Sequence, residues 1–150
     1  MIYSGTASKQ VLRGSDRPQA FELHGRVRIA VVDSVFHSAD DSVCLVKLPA
    51  GRVRILGMSA ISAKMTNPES TLQIGISGYQ DYTYSMHAER QDALLTPVQV
   101  GKIQGGVNLK ASGLSGLVVE SVGGFNVVAT LSEKAAVNDV LNGVLYYVVD

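Results

Sequence analysis

The chain has 150 residues, 46% hydrophobic and 17% charged, with thirteen basic and thirteen acidic side chains and a single cysteine. That length implies one domain, and a domain of this size buries roughly 70% of its unfolded surface, so a full core forms without staples. The cancelled charge argues against nucleic-acid binding, which needs a basic field to release counterions. No run approaches the ~18 apolar residues of a membrane helix.

Residues 1–20 read as an extended N-terminal arm, and residues 21–150 as the folded domain. In the arm, Ser, Gly, Thr, Lys, Gln, Arg and Asp dominate, the Val11–Leu12 pair is isolated, and residues 14–18 form a turn or linker cluster. Val27, Ile29 and Val31 alternate with Arg28 and Ala30, the period of a strand. Residues 33–41 are a surface loop rich in Ser and Asp. Residues 43–48 are a strand that Pro49 ends, because proline cannot donate to a ladder. Gly51 then allows the chain to turn. Val53 and Ile55 alternate with Arg52 and Arg54 in the next run. The break between these runs is Leu-Pro-Ala-Gly rather than Asn-Gly, so they either form a hairpin or lie in opposing sheets.

A strand is expected over residues 71–77. Tyr79, Tyr82 and Tyr84 then cluster with Asp81, His87, Glu89, Arg90 and Asp92. Residues 85–95 have room for about three helical turns, with Met86, Arg90 and Leu94 on one line and Pro97 as the stop. This stretch reads as a long loop carrying one short helix. Two short alternations, split by Gly105–Gly106, occupy residues 98–111. Residues 117–122 and 125–131 are strands, and residues 132–139 a connection with some helical character. Asn142–Gly143 is the strongest turn signal in the chain. Residues 144–149 are apolar on both faces, so this run is either central in a two-layer core or covered by another subunit. Eight or nine short strands with turn signals, and no long amphipathic helix, predict an all-β, jelly-roll-like two-sheet sandwich.

No catalytic or metal signature emerges, so the chain is expected to be no enzyme and to need no cofactor. Gly113-Leu114-Ser115-Gly116 has its second glycine one place too early for a nucleophile elbow. His24, His37 and His87 never stand at ligand spacing. Asp40–Asp41 lacks the glycine and distal glutamate of a calcium loop. Cys44, among Val43, Leu45 and Val46, is expected to be a small buried thiol. Met1 to Gly5 leads into a polar stretch without an apolar signal-peptide core, so synthesis in a cytosol is expected. Tyr79, Tyr82 and Tyr84, the main aromatic concentration, suit either interface anchors or a glycan-stacking surface. Zero net charge does little to oppose self-association.

Five segments taken together, residues 27–32, 47–56, 71–78, 125–131 and 143–149, resemble the head decoration, or cement, proteins of tailed bacteriophages. The shared pattern is a Leu-Pro-x-Gly break, a Leu-x-Ile-Gly strand, a loop with a small helix, an Ala-Thr-Leu strand and a last strand ending in Tyr and Val. It covers roughly residues 25–150. The resemblance implies a jelly roll that binds the outside of an icosahedral shell as a homodimer or homotrimer and bridges major capsid protein subunits. It further implies a virion component made in the host cytoplasm. The arm would cross to a neighbouring coat subunit, with Val11, Leu12, Arg13 and Arg17 as contact candidates. Tyr79, Tyr82, Tyr84, Tyr146 and Tyr147 are the interface candidates. The competing expectation is a carbohydrate- or receptor-binding sandwich of a phage tail or fibre.

Overall fold

The computed structural model describes residues 2–3, 27–36, 41–109 and 117–149. The arm candidates Val11, Leu12, Arg13 and Arg17, together with His24, His37 and Ser115, lie outside the described residues. The strands are β1 (Ile2–Tyr3), β2 (Val27–Val35), β3 (Ser42–Leu48), β4 (Gly51–Ile55), β5 (Ala60–Lys64), β6 (Thr71–Ile76) and β7 (Tyr79–Gln80). They continue with β8 (Met86–His87), β9 (Arg90–Gln99), β10 (Val107–Asn108), β11 (Leu117–Ser121), β12 (Phe125–Leu131) and β13 (Val140–Val149). Four of these are two residues long, so nine substantial strands are described, as the turn spacing predicts.

The strands form a sandwich of two main sheets. The first has the order β1-β3-β12-β6-β9. The second is organised on β13, which pairs β2 along one edge and β5 then β4 along the other; β10 and β11 extend it. Between the sheets, Val127, Ala129 and Leu131 from β12 share one core with Leu72 and Ile74 from β6 and with Val53, Ile55, Leu141 and Tyr147 from the second sheet. Each of the valine, leucine and isoleucine side chains, fully buried, contributes about 1.5–3 kcal/mol through the hydrophobic effect. The strict alternation of β12, buried at Phe125 and at every second residue to Leu131, is the pattern its sequence predicts.

The Leu48-Pro49-Ala50-Gly51 break is a corner between sheets. β3 belongs to the first sheet and β4 to the second, and the chain passes between them at Gly51, whose φ of +115° suits a residue without a Cβ.

Four expectations are corrected. Residues 85–95 contain no helix: a β7–β8 hairpin is followed by β9, antiparallel to β6. Two register shifts in that pairing break the two-residue period, which is why the segment does not read as a strand. Pro97 is tolerated because β9 is an edge strand, where a missing N–H costs no ladder bond. Residues 132–139 likewise form turns rather than helix. Asn142–Gly143 is not a turn but lies inside β13, with Gly143 registered between Val32 and Ile61. A Cβ on Gly143 would fall 2.5 Å from the Ala60 carbonyl oxygen, so the glycine is there for close strand approach. Tyr147, a candidate for an interface, is 1% exposed and packs in the core, and burial raises its hydroxyl pKa.

Cys44 is fully buried, and desolvation pushes its thiol up to about 11. At pH 8 it should resist alkylation by iodoacetamide in the native protein and react promptly in denaturant; rapid native labelling would show that the site opens. Gly143→Ala should lower unfolding stability by about 1–3 kcal/mol, the usual cost of overpacking, as a shift in the urea midpoint.

Candidate functional site

Two exposed surfaces stand out. The first is the β7–β8 hairpin, and its order comes from Asp81. One carboxylate oxygen of Asp81 accepts from the Thr83 N–H (2.9 Å), the Thr83 hydroxyl (2.7 Å) and the Ser85 N–H (3.0 Å). The other lies 2.7 Å from His87 Nε2. An aspartate whose side chain captures backbone donors two and four residues on is a local substitute for a turn. The backbone adds bonds from Asp81 N–H to the Ser85 carbonyl and from Tyr84 N–H to the Asp81 carbonyl, both 3.0 Å. Tyr84 sits at φ 61°, a left-handed conformation uncommon outside glycine.

The hairpin is anchored by aromatic contact. The Tyr79 ring stacks on His87 with centroids 4.6 Å apart and planes within 5°, and it meets Phe125 of the core at 6.4 Å. The Val122 N–H also donates to the Gln80 carbonyl at 2.9 Å. Tyr79 is therefore the inner anchor, half-buried, while Tyr82, Tyr84 and Met86 project at 50%, 73% and 74% exposure. The three tyrosines, grouped by sequence proximity alone, thus divide into one structural ring and two displayed ones. Met86 was missed as a surface residue because a helical reading placed it in line with Leu94.

The second surface is the outer face of the second sheet. β2 buries Ala30, Val32 and Ser34 and turns Val31 and Val35 outward, at 58% and 39% exposure. Across β13, Val31 stands opposite Val144 and Ile29 opposite Tyr146. Tyr146 is half-buried on this face, and its backbone N–H donates to Ser59 Oγ at 2.8 Å. Arg52 and Arg54 lie on the same face beyond Tyr146, where Arg52 pairs with Glu120 at 3.6 Å. An apolar outer face is unusual for an antiparallel sheet, which commonly presents polar residues to water. The valine alternation of β2 reveals the strand but not which side faces out.

Among the described residues, no three His, Cys, Asp or Glu side chains converge as a metal site would require.

No family model matches the chain, and no curated protein matches it significantly. Among solved structures, the chain is similar to one in the capsid of Ralstonia phage GP4, at 17% identity and TM-score 0.66, over 99% of this chain and 97% of that one. It is also similar to a chain in the capsid asymmetric unit of cyanophage Pam1, at 16% identity and TM-score 0.55, over 91% of this chain and 96% of that one. At these identities the likeness establishes a shared fold, end to end.

The His87 hydrogen bond, then those from Thr83, hold the Asp81 carboxyl well below the usual carboxylate range. A lowered folded pKa means that the stabilisation is fully present above the unfolded value and is lost as pH falls through the folded one. The Thr83 and Ser85 amide signals should therefore persist from neutral pH to about 4, the ordinary carboxylate range, and move only in stronger acid. Movement with a midpoint at an ordinary carboxylate pKa would count against this network, and Asp81→Ala should speed exchange of both amides without altering the core.

Proposed function

We propose that the chain is a virion structural protein that decorates the outside of an icosahedral phage head and cements the expanded shell by bridging major capsid protein subunits. The observation that carries this is the end-to-end likeness to single chains of two phage capsids. A sandwich of this size, without a long helix among the described residues, suits an auxiliary subunit set on a shell. The displayed tip of the β7–β8 hairpin supports a contact role. Tyr82, Tyr84 and Met86 offer apolar area on a turn already ordered by Asp81, so little conformational entropy is lost on docking.

No catalysis is required in this reading. A protein that binds the expanded lattice and not its precursor stabilises it by mass action, by about 2.7 kcal/mol per site when free protein stands at a hundred times Kd. The arm, with Val11, Leu12, Arg13 and Arg17, would reach a neighbouring coat subunit. Tyr146 is the candidate contact between copies in a homodimer or homotrimer. The protein would be made in the host cytoplasm and end on the capsid surface.

Co-sedimentation with expanded, empty heads of the parent phage tests the proposal directly: saturable binding is expected, and binding to glycans but not to heads would favour the tail-module alternative. Tyr84→Ser combined with Met86→Ser should weaken head binding at least about tenfold, as loss of a contact worth 1.4 kcal/mol would. Deletion of residues 1–20 should leave a folded domain with lower occupancy on heads. Tyr146→Asp should reduce the oligomer mass measured by light scattering.

A further inference from the structure

The outer face of the second sheet carries a shallow groove of about 610 Å³ at the β2, β13 and β5 strands, floored in part by Gly143 and walled by Gly105 and Gly106. This is within the range of ~300–1,000 Å³ usual for binding clefts. Its floor is laid out in rungs by strand register. Val31, Val144 and Ala60 form one rung and Asp33, Asn142 and Ser62 the next; Val35, Val140 and Lys64 form the following rung of the sheet, just beyond the groove's lining. A polar rung thus crosses an otherwise largely apolar strip.

Asp33 is the centre of that rung. The Asn142 side-chain amide, oriented so that its nitrogen donates, lies 3.1 Å from Asp33 Oδ1 and 3.3 Å from the Leu141 carbonyl oxygen. That bond holds the carboxylate in place and leaves its other lone pairs for a ligand. No basic side chain among the described residues pairs with Asp33. Lys64 stands two strands and one rung away, roughly 12 Å by standard strand spacings, beyond the ~8 Å screening length at physiological salt. An exposed carboxylate flanked by valines calls for a cation flanked by apolar groups.

We propose that this groove receives an extended segment of a neighbouring shell protein that reads apolar-x-basic-x-apolar. Alternate side chains of an extended chain are about 6.8 Å apart, which is also the spacing between rungs. A basic residue set on Asp33 therefore places its second neighbours on the Val31 and Val35 rungs. Arginine suits the position better than lysine, because its planar fork matches a carboxylate with two parallel bonds. The choice of a shell protein as the source rests on the capsid reading above; the chemistry of the groove does not.

The test has two arms. In the first, the full ¹⁵N-labelled protein is titrated with the peptide acetyl-Val-Ser-Arg-Ser-Val-amide, and with the same peptide carrying Glu for Arg. Saturable shifts are expected at Val31, Asp33, Val35, Asn142 and Val144 with the Arg peptide alone, weakened about tenfold in Asp33→Asn, in line with loss of a charge partner. No saturable shift, equal binding of the Glu peptide, or an unaffected Asp33→Asn overturns the groove chemistry. In the second arm, wild type and Asp33→Asn are compared on expanded heads. Lower occupancy of the variant supports the shell segment as occupant, and equal occupancy overturns it while the capsid reading stands. Wild type that fails to bind heads sinks the capsid reading, and the peptide titration still decides the groove. A drop in oligomer mass in Asp33→Asn would assign the groove to a second copy and overturn the proposal.

Discussion

The second sheet depends on one strand. β13 carries β2 on one edge and both β5 and β4 on the other, so most of the strand pairing of that sheet runs through its ten residues. Such a strand must place its side chains on two faces and let its neighbours approach closely. Leu141, Leu145 and Tyr147 fill the core, while Val144 and Tyr146 take the outer face. Gly143 provides the close approach, since no side chain fits beside the Ala60 carbonyl. A strand this central pairs residues far apart in sequence, which makes the fold one of non-local contacts.

Among the described residues, the sandwich displays two apolar surfaces. The hairpin after β6 is braced at its base by the Tyr79 ring between His87 and Phe125 and at its tip by four contacts to one carboxylate, Asp81. Exposed tyrosine and methionine on a braced turn is the opposite of a floppy loop: the apolar groups are held out in water, where they gain nothing until a partner covers them. The outer face of the second sheet has the same character over a flatter area. Both fit the proposed role of a subunit that lies against other proteins.

Much of this was legible from residue order. The alternation of Phe125 to Leu131, the proline-glycine break at Pro49 and Gly51, and the buried environment of Cys44 are local statements, and local physics answers them. The short helix was not legible as an error, because β9 is bulged: its register slips twice against β6, and a bulged strand loses the period by which strands are recognised. Asn142–Gly143 carries a genuine turn preference that the pairing of β13 on both edges overrides. The arm and its four contact candidates lie outside the described residues.

The sequence by itself determined that the chain is all-β, that its core alternates along short strands, that its basic and acidic side chains cancel, and that three of its tyrosines stand close together near residue 80. Those follow from side-chain period and composition, which act over a few residues. Only the tertiary structure decided which faces of the strands turn outward, which tyrosines are structural and which displayed, and that Asp33, Asn142 and Ser62, far apart in the chain, share a single rung. Register sets these, and register is chosen by the sum of non-local pairings, where a slip of one residue exchanges the inside of a strand for its outside.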